Sequence, residues 1–110
     1  MEWKIDYYNE SVENAVHNLD KSIKAKYIAI TNMMIGSGPN LGLPYTKSMG
    51  KGLFEIRAKG HAGIARGFFC TISGNTIMIL HVFLKKSQKT PQKELELAVK
   101  RMKEVKNYDI

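Results

Sequence analysis

The sequence predicts an α+β fold built around a small antiparallel sheet. Three β-like runs, residues 53–59, 64–72 and 76–85, are joined by connections of hairpin length, two helical stripes precede them, and a capped amphipathic stretch follows. Connections this short cannot hold the crossover helix of a parallel pair, so consecutive runs pair antiparallel. The helices are then expected to gather on one face of the sheet, leaving the other face free.

The elements follow in chain order. Trp3, Ile5 and Tyr7 alternate with Glu2, Lys4, Asp6 and Tyr8, the period of a half-buried strand. Val12, Ala15, Val16, Leu19 and Ile23 recur at steps of three and four, the stripe of an amphipathic helix. A second helix is expected over 22–35. Its apolar residues Ile23, Tyr27, Ile28, Ile30, Met33, Met34 and Ile35 cover more than one face, which predicts burial between the first helix and another layer. Asp20 stands at the join, and one long bent helix remains the alternative. Glycines and prolines at 36, 38, 39, 42, 44, 50 and 52 predict an irregular loop of about 16 residues.

Gly60 to Gly63 and Ser73-Gly74-Asn75 supply the two later turns. Pro91 suits the first helical position after Thr90 as N-cap, with Glu94 in the first turn and Leu95, Ala98, Val99, Met102 and Val105 as the buried stripe. The predicted order is β-α-α-β-β-β-α.

At 110 residues the chain is expected to be one domain over 1–110, which excludes large multidomain enzymes. Its one cysteine, Cys70, can form neither an intrachain disulfide nor a four-thiolate zinc site, which points to a reducing, cytoplasmic setting. Residues 1–6 lack the apolar run of a secretory signal. The most apolar stretch, 77–84, is interrupted by His81 and is far shorter than the ~20 residues of a membrane span, so no membrane partner is expected.

Charge is unevenly distributed. Residues 1–46 carry 4 basic and 5 acidic groups, a balance of −1, while 47–110 carry 13 and 5, a balance of +8. Such asymmetry fits either a polyanionic ligand met by the C-terminal two-thirds or a basic solvated face.

Strand alternation sorts the candidate residues. Phe54, Ile56 and Ala58 point one way while Glu55, Arg57 and Lys59 point the other. Arg66 shares its side with Phe68, Cys70 and Ile72, and is either aimed at an anion or paired with Glu55. By the same alternation His81 shares its side with Ile77, Ile79, Phe83 and Lys85, as a packed strand residue or as an acid or base. Lys85, Lys86 and Lys89 precede a helix N-terminus, an arrangement that suits phosphate but also a solvated basic loop. His17, His61 and His81 lack paired metal-ligand spacing, so neither metal nor cofactor is expected. Cys70, in an apolar run, is expected to be a buried inert thiol.

Leu43-Pro44-Tyr45, Gly52-Leu53-Phe54-Glu55-Ile56-Arg57, Arg66, the run from Leu80-His81 through Lys85-Lys86 to Lys89-Thr90-Pro91, and Glu94 to Ala98 together resemble the HigB-type, phage-related branch of the RelE/ParE toxin superfamily. The resemblance covers roughly residues 40–106. It implies a small RelE-like fold and the toxin of a type II toxin–antitoxin pair, a ribosome-dependent endoribonuclease (mRNA interferase) that cleaves messenger RNA and so inhibits translation.

The implied partners are a helix-turn-helix antitoxin, the ribosome with bound mRNA, and operator DNA only through the antitoxin. The implied chemistry is metal-independent attack of a ribose 2′-hydroxyl on the adjacent phosphate. The resemblance carries basic roles to Arg57, Lys59, Arg66, Lys85 and Lys86. The catalytic candidates are Arg66, Arg57, Lys85, Lys86, His81 and Glu55, with Lys59, Lys89 and Phe83 as RNA contacts. Several relatives carry a tyrosine late in the third strand, where this chain has Cys70, so Glu55, His81 or a lysine of depressed pKa is left to move the proton. Some members of the superfamily inhibit DNA gyrase instead. That reading and a non-catalytic nucleic-acid-binding module are the alternatives.

Overall fold

The computed structural model describes residues 2–85 and 91–107, arranged as β1 (Lys4–Tyr7), α1 (Glu10–His17), α2 (Lys21–Ser37), β2 (Thr46–Gly50), β3 (Leu53–Gly60), β4 (Gly63–Ile72), β5 (Thr76–Lys85) and α3 (Gln92–Asn107). Two helices, not one bent one, follow β1, because each carries its own cap. Asn9 accepts a hydrogen bond from the Val12 N–H at 2.9 Å, and Asp20 accepts from the Ser22 N–H at 3.1 Å and its hydroxyl at 2.7 Å.

The five strands form one sheet in the order β1-β5-β4-β3-β2. The α+β class holds, with two corrections to its details. The edge pair β1 and β5 is parallel, since α1 and α2 intervene before the chain returns to the sheet. The expected loop also contains a strand, β2, which pairs antiparallel with β3 and places Thr46 opposite Ile56 and Lys47 opposite Glu55. Gly50, Lys51 and Gly52 all have positive φ and make the turn joining β2 to β3. Of the glycines that read as a loop, Gly50 and Gly52 therefore make a hairpin turn, while Gly36 lies in α2 and Gly38 caps it.

The expectation of one free sheet face is corrected as well. Ile23, Tyr27, Ile30 and Met34 of α2 and Val12 and Val16 of α1 pack on Ile56, Ala58, Ala65, Phe69, Ile77, Ile79 and Val82. The stripe of α3 cannot be buried there, and Ala98 and Met102 instead pack on Leu53, Phe68, Cys70, Met78 and Leu80 of the opposite face. Nor is α2 buried all round, for Ile28 and Met33 are exposed. Close approach to the sheet is set by glycine: a Cβ at Gly67 would lie 3.3 Å from the Tyr27 ring, and one at Gly60 would lie 2.7 Å from the Ile23 backbone nitrogen.

One irregularity decides the site. Phe68 lies opposite His81 and Phe69 opposite Ile79, so Leu80 is an extra residue in β5, a β-bulge. Among the described residues no helix is long and apolar enough to cross a membrane.

Candidate functional site

On the face that α3 shares, the helix covers Phe68, Cys70, Met78 and Leu80 and leaves the neighbouring part of β3, β4 and β5 uncovered. Antiparallel register fills that part with charge. Arg57 lies opposite Arg66, Arg66 opposite Phe83, and Glu55 opposite both Lys47 and Phe68.

Glu55 is the hub. Its Oε1 pairs with Nη1 of Arg66 and lies 4.0 Å from Nε of Arg57. The sequence left two surroundings open for Arg66, and the structure takes the ion pair: Arg66 is 5% exposed and Glu55 1%. Arg66 is thus a buried partner beneath the surface and not a solvent-facing cation. The pair is incompletely satisfied, since Glu55 Oε2 and Arg66 Nε are buried without a hydrogen-bond partner among the described residues. Buried ion pairs of this kind contribute little net stability, because desolvation offsets their attraction.

Lys85 completes the cluster. Burial holds its ammonium below the ordinary lysine range, Arg66, Arg57 and Lys47 push it further down, and Glu55 opposes them. Among the described residues, Arg66 and Arg57 approach the Glu55 carboxylate directly, with Lys85 near them and Lys47 opposite Glu55 on the neighbouring strand. A patch with that imbalance favours an anion, and the planar guanidinium of half-buried Arg57 offers a fork for phosphate oxygens.

His81 borders this patch, and the bulge is the reason. Strict alternation groups it with Ile77 and Ile79, but those two pack on the α2 side. The extra residue turns His81 to the other face, beside Phe83. The predicted company of His81 is corrected accordingly: Phe83 and Lys85, not Ile77 and Ile79. Its ring stacks on Phe83 with centroids 5.6 Å apart, and Nε2 lies 2.6 Å from Oε2 of Glu94. A carboxylate on Nε2 selects the neutral tautomer that carries its proton there, leaving Nδ1 as the basic nitrogen.

The predicted site residues separate as follows. Glu55, Arg57, Arg66 and Lys85 come together, with Phe83 and His81 adjoining. Lys59 stands apart, lining a shallow groove with Lys26, Gly60 and His61. Lys86, Lys89 and the Thr90 cap lie outside the described residues. Cys70 is buried beneath α3. Sequence reasoning missed Lys47, hidden in the glycine-rich stretch, and the partnership of Glu94, which looked like an ordinary first-turn acid. Among the described residues no three His, Cys, Asp or Glu side chains are grouped to hold a metal ion.

These features define a small α+β protein of RelE-like fold with a cation-rich patch on its sheet. The chain belongs to the family described as Phage derived protein Gp49-like (DUF891), which matches residues 14–103. That is a family of type II toxins of the RelE/HigB-like kind, whose members pair with a cognate antitoxin. No curated protein matches the chain significantly.

Proposed function

We propose that the protein is a single-domain, ribosome-dependent mRNA endonuclease of the HigB type, acting in the cytoplasm and restrained by a helix-turn-helix antitoxin through which it meets operator DNA. The observation that carries this reading is the convergence of Lys47, Arg57, Arg66 and Lys85 on one carboxylate, Glu55, next to a histidine held by Glu94.

RNA cleavage of this kind needs three services. A base must take the 2′-hydroxyl proton, cations must hold the charge that gathers on the phosphorane, and an acid must supply the departing 5′-oxygen. His81 is the base, through Nδ1. Arg57 and Lys85 grip the non-bridging oxygens, each such contact supplying ~3 kcal/mol to the transition state. Arg66, fixed by Glu55, raises the positive potential from beneath. The 2′-oxygen bonds to phosphorus, the bond to the 5′-oxygen breaks, and Lys85 donates the proton that oxygen needs; lowering of the lysine pKa makes it a better acid. The products are a 2′,3′-cyclic phosphate and a free 5′-hydroxyl. Glu55 is not reachable by the 2′-hydroxyl, because its carboxylate is buried and engaged by Arg66. Phe83 is placed to stack on a nucleobase at the edge of the patch.

The test is induction in cells followed by mapping of RNA 5′ ends. New ends inside translated frames, absent for Arg57→Ala and Lys85→Ala, are expected. Loss of DNA supercoiling activity without new ends would instead identify a gyrase inhibitor, and binding with neither effect would leave a nucleic-acid-binding module.

A further inference from the structure

We propose that Arg101 is a positioning residue: by donating to the Leu80 carbonyl it holds the β5 bulge that turns His81 onto the cation-rich face. The inference rests on the reading of His81 as the proton-transferring group.

A bulge takes backbone groups out of the ladder, and Leu80 is fully buried, so its carbonyl needs a partner from elsewhere. Arg101 Nη1 supplies it at 2.8 Å, from a residue 21 positions further along the chain. The guanidinium is itself held in place. It lies over the Tyr8 ring, 4.6 Å from the centroid, and the Tyr8 hydroxyl donates to Glu104 one turn further along α3.

Glu94 and Arg101 are seven residues apart, two helical turns, so they lie on one stripe of α3 with Ala98 between them. One helix thus sets both variables of the histidine. Arg101 determines to which face of the sheet the His81 backbone presents its side chain, and Glu94 determines how the ring is turned and which nitrogen bears the proton. His81 and Arg101 also line a common cleft of about 160 Å³ with Ser11, Val12 and Ala15 of α1. Without the Arg101 bond, a regular ladder would carry His81 toward the α2 side, where it could not reach the phosphate.

The experiment compares Arg101→Met, which keeps the stem but loses the donor, with Arg101→Gln, whose amide can still donate. Imidazole ¹⁵N spectra of the full chain should show His81 in wild type as the tautomer protonated at Nε2. That signature is expected to collapse to a mixture in Arg101→Met and to return in Arg101→Gln. Ribosome-dependent cleavage should fall at least ~10-fold in kcat with KM unchanged, part of the ~10²–10⁴ that an acid–base group supplies. The double variant His81→Ala/Arg101→Met should be no slower than His81→Ala alone.

An unchanged His81 signal in Arg101→Met, or additive losses in the double variant, would overturn the proposal. Should Arg101→Met fail to fold, Tyr8→Leu, which unseats the guanidinium from its ring while leaving Arg101 in place, decides: a mixed His81 tautomer supports the proposal and a wild-type one overturns it. If the wild-type protein cleaves no mRNA, the nuclease reading fails, while the tautomer comparison still judges the role of Arg101.

Discussion

The two faces of the sheet follow different rules. On the α2 side the packing is apolar and free of buried charge, with Ile23, Ile30 and Met34 against Ile56, Ile77 and Ile79 and only hydroxyls such as those of Tyr27 and Thr46 buried among the described residues. On the α3 side the same strands carry an apolar half under the helix and an ionic half beyond it, where Glu55 and Arg66 are as buried as many core residues. Polar atoms are thus buried for different reasons on the two faces. On the α2 side the buried Tyr27 hydroxyl, without a partner, is a by-product of filling space. On the α3 side the unmet Glu55 and Arg66 atoms belong to a buried ion pair at the floor of a cation-rich patch.

The strongest way to break this comparison is to split the ion pair. Glu55→Ala leaves the Arg66 charge buried and uncompensated, and should cost about 3–5 kcal/mol in urea unfolding. Replacing both, as Glu55→Leu with Arg66→Met, should recover most of that stability while abolishing cleavage. Wild-type stability for Glu55→Ala would show that the ionic half is not part of the structural core.

Next in size is the outward part of the patch. Arg57→Ala and Lys85→Ala should each slow cleavage by about 100-fold, near 2.7 kcal/mol, with the melting temperature hardly moved. Removing both should flatten the salt dependence of RNA binding, reducing the slope of log affinity against log salt by about 1.4. A slope unaltered by the double change would exclude these side chains from phosphate contact.

A smaller effect is expected on the α2 side. Tyr27→Phe removes a buried hydroxyl that has no hydrogen-bond partner among the described residues, and should stabilise the fold by up to about 1 kcal/mol in thermal unfolding, without altering cleavage. Destabilisation would mean that this hydroxyl contributes to the core after all.

The smallest expected change is in pH dependence. Lys85 loses its proton below the ordinary lysine value of 10.5, chiefly through burial. Deprotonation removes a cation, so affinity for a non-cleavable 2′-O-methyl RNA should weaken as pH rises toward 10.5, and Lys85→Arg should delay that loss. The sign for stability is the reverse. The charged ammonium is a slight cost to the fold below its folded-state value, and the cost disappears as pH passes 10.5. Parallel alkaline limbs in the two proteins would remove Lys85 from the anion site.

Much of this architecture is written locally. Period-two alternation in β3 correctly separates Phe54, Ile56 and Ala58 from Glu55 and Arg57, and the stripe of α3 names the residues that pack on Leu80 and Met78. Asp20 and Ser73-Gly74-Asn75 mark a helix start and a hairpin turn, because caps and left-handed turn residues act within a few positions of themselves.

Local patterning thus established the α+β class, the faces of the regular strands and the cationic bias of the C-terminal two-thirds. Tertiary structure alone decided that α3 takes the face opposite α2, that a glycine-rich stretch pairs as β2, and that Arg66 meets Glu55 instead of solvent. It also decided where His81 points. Alternation is a property of adjacent residues, whereas a bulge leaves a buried carbonyl to be met from elsewhere, and here Arg101 reaches Leu80 only after α3 has packed on the sheet.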